Sequence, residues 1–176
     1  MLVEVDSQET YDTLSEMMDE AFQDKHYKYA FSDEYVPKKG LQEAHRGLTF
    51  FSVDENQNIV GSITATHYLR TNKVSDFTML NFLKKPSMTY AKDMYEFIST
   101  YIFEKLKVHK ANWLTVIGSP YEKFNDKIAK NLGGRVVGIY RDDMTNAAGE
   151  LCDVKEYEVL RADYLKKKYG SQLPHG

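Results

Sequence analysis

The chain has 176 residues, 42% of them apolar and 28% charged, with a formal net charge of −3. That length fits one globular domain with a real core, and the charge balance excludes a broad electrostatic surface for nucleic acid. A lone cysteine, Cys152, excludes an internal disulfide, and no stretch approaches the roughly 18 apolar residues of a membrane span.

The first ten residues, MLVEVDSQET, are acidic and mixed, unlike a secretory leader. The expectation is a cytoplasmic protein, or one made in a cytosol and then packaged into a virion. Leu2 to Val5 alternates as a first strand. Ser7 or Thr10 caps a helix whose buried face carries Tyr11, Leu14, Met18 and Phe22, spaced by three and four. The connection from Lys25 to Arg46 holds Tyr27, Tyr29, Phe31 and Tyr35, then Pro37 and Gly40. It reads as a short second helix, a binding loop, or a lid of aromatics over the core edge. Its aromatics suit a substrate or a homodimer equally.

Leu48 to Val53 is a strand, and Asp54 to Asn58 a turn by composition. Ile59 to Arg70 is a second strand with Ile59, Ile63, Ala65 and Leu69 on one face. Thr71 to Lys73 turns again into a third strand, Val74 to Lys84. Three strands joined by short turns make an antiparallel meander. That argues against a doubly wound dinucleotide fold, where each strand feeds a helix.

Pro86 ends the strand. Met94, Phe97, Ile98, Tyr101, Ile102 and Leu106 form a broad helical stripe, which is core. Trp113 to Ile117 is apolar on both faces, as a central strand is. Ser119, Pro120 and Glu122 spell an N-cap, a first-turn proline and a capping box. Tyr121, Phe124, Ile128 and Leu132 follow on one face, and Gly133-Gly134 stops the helix. Arg135 to Tyr140 is a strand, Met144 to Glu150 a loop and Cys152 to Leu160 the last strand. The chain past Tyr164 reads as frayed, giving one domain over 1–165 and a flexible tail over 166–176.

The order is strand, helix, irregular helix, three antiparallel strands, helix, strand, helix, two strands. It resembles the GNAT fold of acyl-CoA-dependent N-acyltransferases across the whole chain. NLGGRVVGIYRDDM and LCDVKEYEVLRADYL are similar to that family's helix end, turn and two closing strands. The resemblance implies a mixed α/β domain with a mostly antiparallel central sheet of six to seven strands flanked by helices. It also implies acetyl-CoA as acyl donor and an amine acceptor in a small molecule or protein; from the residues themselves neither a metal nor a membrane is expected.

In that family acyl-CoA lies where the fourth and fifth strands splay, with its pyrophosphate on the amides that open the next helix. A helix N-terminus offers unpaired N–H groups and partial positive charge. Carried over, the fourth-strand backbone of Leu80, Asn81 and Phe82 would meet the pantetheine arm. Lys84, Lys85, Ser87, Met88, Thr89, Tyr90 and Ala91 would meet the phosphates. Thr89 stands where the family's loop has its first glycine, and Pro86 where it has Arg or Gln.

The family's general base is often a carboxylate on the fourth strand, and Asp76 is the acid on this one. Its general-acid Tyr, four residues before the turn glycine, is replaced here by Ala129. Tyr121 lies at the start of the same helix near the expected cleft, and its relation to Phe124 also offers it a core role. The departures leave two readings. One is an active N-acetyltransferase. The other is a GNAT scaffold without transfer, serving as a binding or structural protein of the phage virion or accessory type.

Other constellations carry less. The five histidines stand apart from Cys, Asp or Glu at ligand spacing. Gly118-Ser119-Pro120 lacks the glycines of a nucleophile elbow. Cys152 reads as a small buried thiol, and Asp142, Asp143 and Asp153 as acids near one sheet end.

Overall fold

A computed structural model describes residues 1–22, 45–83, 87–146 and 148–170. The elements run β1 (Leu2–Glu4), α1 (Gln8–Phe22), β2 (His45–Val53), β3 (Ile59–Tyr68), β4 (Lys73–Asn81), α2 (Met88–Glu96) with a π-helical continuation (Phe97–Lys105), β5 (Lys110–Val116), α3 (Glu122–Asn131), β6 (Arg135–Thr145), β7 (Leu151–Leu160) and α4 (Arg161–Tyr169). The aromatic connection (23–44) and the last residues (171–176) lie outside the described residues.

Seven strands form one sheet in the order β1-β2-β3-β4-β5-β7-β6. Every neighbouring pair is antiparallel except β4 and β5. Short turns force this in the meander. The Asp54 carboxylate accepts the amides of Asn56 and Asn58, both at 2.9 Å, and so closes the β2–β3 turn. The crossover through α2 permits the parallel β4–β5 step.

Alternation gives the sheet two cores. On one face Leu48, Phe50, Val60, Ile63 and Ala65 pack with Met94, Phe97 and Ile102 of the α2 segment, Ile128 and Leu132 of α3 and Tyr164 of α4. On the other, Phe51, Val53 and Leu80 pack against Leu14 of α1 and against Val5, which lies between β1 and α1. A bulge at Val60, between the pairs Ser52–Gly61 and Val53–Ile59, flips the parity of β3. Ile59 therefore faces α1 while Ile63 and Ala65 face α2, and Leu69 is exposed past the strand end. The single apolar face expected over Ile59 to Leu69 is thus divided.

Four further expectations change. Beyond Phe97 the expected α-helix widens into a π-helix, with Leu106 N–H donating to Tyr101 C=O at 2.9 Å. The wider turn buries Phe97, Ile98, Ile102 and Phe103 together. No capping box forms on Ser119: α3 begins at Glu122, whose carboxylate accepts the Gly118 amide at 2.8 Å and binds Lys155 at 2.5 Å. β6 runs on to Thr145, into the expected loop. The chain past Tyr164 is helical to Tyr169 rather than frayed. Tyr164 and Lys168 both bind Glu104.

Gly133 ends α3 with φ +80°, and a Cβ there would meet the Asp163 backbone at 2.9 Å. Gly61 serves contact instead: a side chain there would strike the Leu80 carbonyl and the Tyr90 ring, the latter at 2.6 Å.

Candidate functional site

β4 and β5 stay together for two residue pairs, Lys73–Lys110 and Val74–Ala111, and then part. β4 continues to Asn81 and β5 to Val116 without a partner between them. The parting starts at a bulge. Thr66 pairs with Ser75 and Thr64 with Thr78, so Asp76 and Phe77 together oppose Ala65. Asp76 takes φ +54°, a conformation that an Asp tolerates better than most residues.

The bulge decides which backbone groups face the gap. Phe82 N–H donates to Val60 C=O at 2.9 Å, so Phe82, and by alternation Leu80, address β3. Met79 and Asn81 turn their N–H and C=O groups into the gap. On the far side Ile117 N–H donates to Asp153 C=O of β7 at 2.9 Å, which turns the backbone of Leu114 and Val116 toward β4. The wedge thus has two facing backbone edges, although Val116 C=O already accepts the Ser119 N–H at 3.2 Å.

α2 opens at the wide end of the wedge. Ser87 is its N-cap, with φ −89° and ψ 134°, and its hydroxyl accepts the Tyr90 amide at 3.4 Å. The Ala91 amide is held by Ser87 C=O at 3.0 Å. The amides of Met88 and Thr89 have no protein acceptor among the described residues, and the Met88 side chain is 85% exposed. Tyr90 instead points into the core, donating to Ser62 C=O at 3.2 Å. Its ring fills the space that Gly61 leaves open. Lys84 and Lys85 lie outside the described residues, as does Pro86.

Tyr121, just before α3, reaches the same wide end. The side chain of the buried Asn81 hydrogen-bonds its hydroxyl, so β4 and α3 touch across the opening. Burial raises the Tyr121 pKa, and the Asn81 bond only partly offsets this, so the phenol is a proton donor at neutral pH. Asn81 also holds Leu83, donating to its C=O at 2.9 Å.

Asp76 sits at the narrow end. Its carboxylate accepts the Tyr68 hydroxyl at 2.6 Å, and that bond is the leading cause of a raised Tyr68 pKa. Five residues separate Asp76 from Asn81 along β4, about 16 Å at strand rise. Asp76 and Tyr121 therefore mark opposite ends of the wedge. The reading from sequence used Asn81 for its backbone and did not find its side-chain bond to Tyr121. It also missed Tyr68, although the Thr71–Lys73 turn places Tyr68 opposite Lys73 and within reach of Asp76.

Beneath the open ladder the halves are joined by aromatics. Phe77 of β4 lies 5.9 Å from Trp113 of β5 and 6.0 Å from Phe97, ring centre to ring centre. Trp113 stacks on Tyr157 of β7 at 5.5 Å. The Trp113 indole N–H donates to Asn125 at 3.1 Å, and Asn125 donates to Thr115 at 2.7 Å. Ala129 is buried in this core.

The residues set aside earlier behave as follows. His67 is buried and 3.3 Å from Asn72. Cys152 is half-buried rather than buried, because β7 meets the exposed end of β6 there. The Asp142 amide donates to Asp153 at 3.0 Å. Among the described residues no group of three His, Cys, Asp or Glu is placed to hold a metal ion, and no helix is long and apolar enough to cross a membrane.

No protein-family model matches the sequence, and no curated protein matches it. Solved structures do. The spermidine N-acetyltransferase of Vibrio cholerae in complex with CoA and spermine superposes with a TM-score of 0.70 at 15% identity, covering 94% of this chain and 97% of that one. A mutant of that enzyme gives 0.70 at 14% over 96% and 99%. The spermidine/spermine enzyme from the same organism with manganese ions gives 0.66 at 14% over 95% and 95%. At these identities the likeness shows the fold: this chain shares the mixed α/β, mostly antiparallel architecture of those structures along nearly its whole length.

Proposed function

We propose that the chain is an acyl-CoA-dependent N-acyltransferase that moves an acetyl group from acetyl-CoA to an amine. The observation that carries this reading is the wedge where β4 and β5 part after Val74 and Ala111, ending on the amides of Met88 and Thr89, which have no acceptor among the described residues. A pantetheine arm has amide groups of its own and can pair with Met79 and Asn81. A pyrophosphate suits the α2 N-terminus, where the Ser87 and Thr89 hydroxyls add donors.

With phosphates at the wide end, the thioester lies toward the narrow end, beside Asp76. Asp76 takes the proton from the attacking amine, held in place by Tyr68. Tyr121 stays protonated but stands with Asn81 at the wide end, out of reach of a thioester beside Asp76, so the departing CoA thiolate takes the proton that Asp76 accepted from the amine. Much of the rate comes from holding amine and thioester together. The solved relatives named above include enzymes of spermidine and spermine, which makes polyamines the first acceptors to try.

A specific feature favours the competing reading, a scaffold that binds without transfer. Ala129 carries no hydroxyl where the family places its acid. Two measurements separate the readings. Acetyl-CoA at about a hundred times its Kd should add roughly 2.7 kcal/mol of stability, a shift of several degrees, while ATP should not. Thiol release from acetyl-CoA should then depend on an added amine and fall about a hundredfold in Asp76→Asn. A shift without thiol release, across polyamines, small amines and lysine peptides, would leave the scaffold. No shift at all would remove CoA from this wedge.

A further inference from the structure

A departing thiolate carries its charge before a proton reaches it, and a donor placed at the sulfur lowers the barrier. With the CoA arm entering from the wide end, the amine at Asp76, the acyl carbon and the sulfur follow one another toward that end. The aromatic seam fixes which side chains stand there. Asp76 and Phe77 together oppose Ala65, and the Phe77 ring lies 5.9 Å from Trp113. Two residues farther along both strands, about 7 Å at strand rise, Met79 comes level with Thr115. The sulfur of a thioester beside Asp76 falls on that rung, short of Asn81 and Tyr121.

Thr115 is only 6% exposed. It and Trp113 turn to the same side of β5, where both meet Asn125 of α3. An indole N–H can only donate, so the Asn125 carbonyl faces Trp113, at 3.1 Å, and the Asn125 amide nitrogen faces Thr115, at 2.7 Å. That nitrogen also donates to Tyr121 C=O at 3.1 Å. The Thr115 oxygen is thereby an acceptor, and its one proton points elsewhere. Among the described residues that proton has no acceptor. Lys155, opposite Thr115 on β7, is engaged by Glu122 at 2.5 Å and Asp126 at 3.0 Å. A buried hydroxyl whose oxygen is held and whose proton is uncommitted suits a developing anion.

We infer that Thr115 donates a hydrogen bond to the sulfur of bound CoA and so stabilises the leaving thiolate. The contact rests on the reading that CoA occupies the wedge, and its catalytic effect on the reading that transfer follows. In that step the amine nitrogen bonds to the acyl carbon, and the carbon–sulfur bond breaks with its electron pair passing to sulfur. The amine proton goes to Asp76 and then to the thiolate. Thr115 keeps its own proton throughout, and Asn125 holds the hydroxyl in place.

Titration of the CoA complex tests the contact without any transfer. The ultraviolet absorbance of the thiolate, taken as a difference against the ligand-free chain with its own Cys152, should show the bound thiol ionising below its value in free CoA. Thr115→Val keeps the shape and removes the donor, and should raise that pKa by about one unit, a tenfold change in ionisation. Amine-dependent thiol release should then fall about tenfold in kcat, with KM for acetyl-CoA within about twofold. Thr115→Ser, which keeps the donor, should restore both the bound thiol pKa and most of kcat. A bound thiol whose pKa Thr115→Val leaves unchanged would overturn the inference. So would a loss of kcat that Thr115→Ser does not recover, since packing alone would explain it. A lowered thiol pKa that depends on Thr115, in a wild type that releases no thiol, would uphold the contact and count against transfer alone. A wild type that acetyl-CoA does not stabilise at all would remove the contact along with the wedge reading.

Discussion

The β1–β4 half of the sheet and the β5–β7 half are built alike and joined differently. Within each half, strands pair along most of their length. Between the halves the ladder lasts two residue pairs, and the connection is made instead by Phe97, Phe77, Trp113 and Tyr157 packed beneath it. Hydrogen bonding and packing are separable ways of closing a sheet. Here packing carries the join, and beyond Val74 and Ala111 the two strands' backbones no longer pair with each other.

Removing the seam should therefore cost more than any change in the wedge. Trp113→Ala deletes the side chain that touches both halves and frees a buried Asn125. About 3–5 kcal/mol should be lost, lowering the melting temperature by on the order of 10 °C at this length, as calorimetry would show. A loss confined to a degree or two would mean the halves are held by something other than the aromatic row.

Gly61→Ala tests the left half alone. The new methyl would meet the Leu80 carbonyl and the Tyr90 ring, neither of which sits on a flexible end. Overpacking of this kind costs about 1–3 kcal/mol. Because Tyr90 belongs to the first turn of α2, acetyl-CoA binding should weaken along with the melting temperature.

Glu158 tests the right half through pH. Its carboxylate is bound first by Lys110, at 2.6 Å, and then by Arg135. Both hold its pKa below the ordinary glutamate value. A carboxyl depressed on folding contributes stability above its unfolded pKa, near 4.3, and loses it as pH falls through the folded value. Glu158→Gln should thus melt lower than wild type at pH 7, by an amount reflecting about 1–3 kcal/mol. The difference should close as the solution is acidified past the glutamate range. A gap that persists in acid would assign the loss to packing rather than charge.

Thr89→Asp is the smallest in stability and the sharpest for the wedge. An aspartate in the first turn of a helix is neutral to favourable for folding, so the melting temperature should barely move. If phosphates sit on these amides, the added charge should abolish the acetyl-CoA shift. Retained binding would place CoA elsewhere and leave the join between the halves purely structural.

Part of the site was legible before the structure. The strand β4 and the helical stripe after Pro86 follow from local composition, because alternation and helical spacing are set by residues a few positions apart; the Ser87 cap was not read there. Asp76 was found as the acid of its strand, but not the bulge that turns it, since one extra residue in a ladder leaves no mark in alternation. Asn81 was named for its backbone alone. Its bond to Tyr121 spans 40 positions, and no periodicity reports a contact at that distance.

By itself, then, the sequence determined, among the described residues, the seven strands, the helices α1 to α3 and their order, through hydrophobic period, turn residues and Gly133. It determined the meander as well, because two- to five-residue turns permit little else. Tertiary structure decided the rest: where β4 leaves β5, which backbone groups that exposes, the widening of the helix after Phe97, the start of α3 at Glu122 and the helix Arg161–Tyr169. In each case a contact from elsewhere overrides local preference. Lys155 draws Glu122 away from a capping box, Glu104 anchors Tyr164 and Lys168, and the bulge at Asp76 shifts the parity of β4 against β3. Such outcomes depend on which surfaces meet, and that is settled only when the whole sheet is assembled.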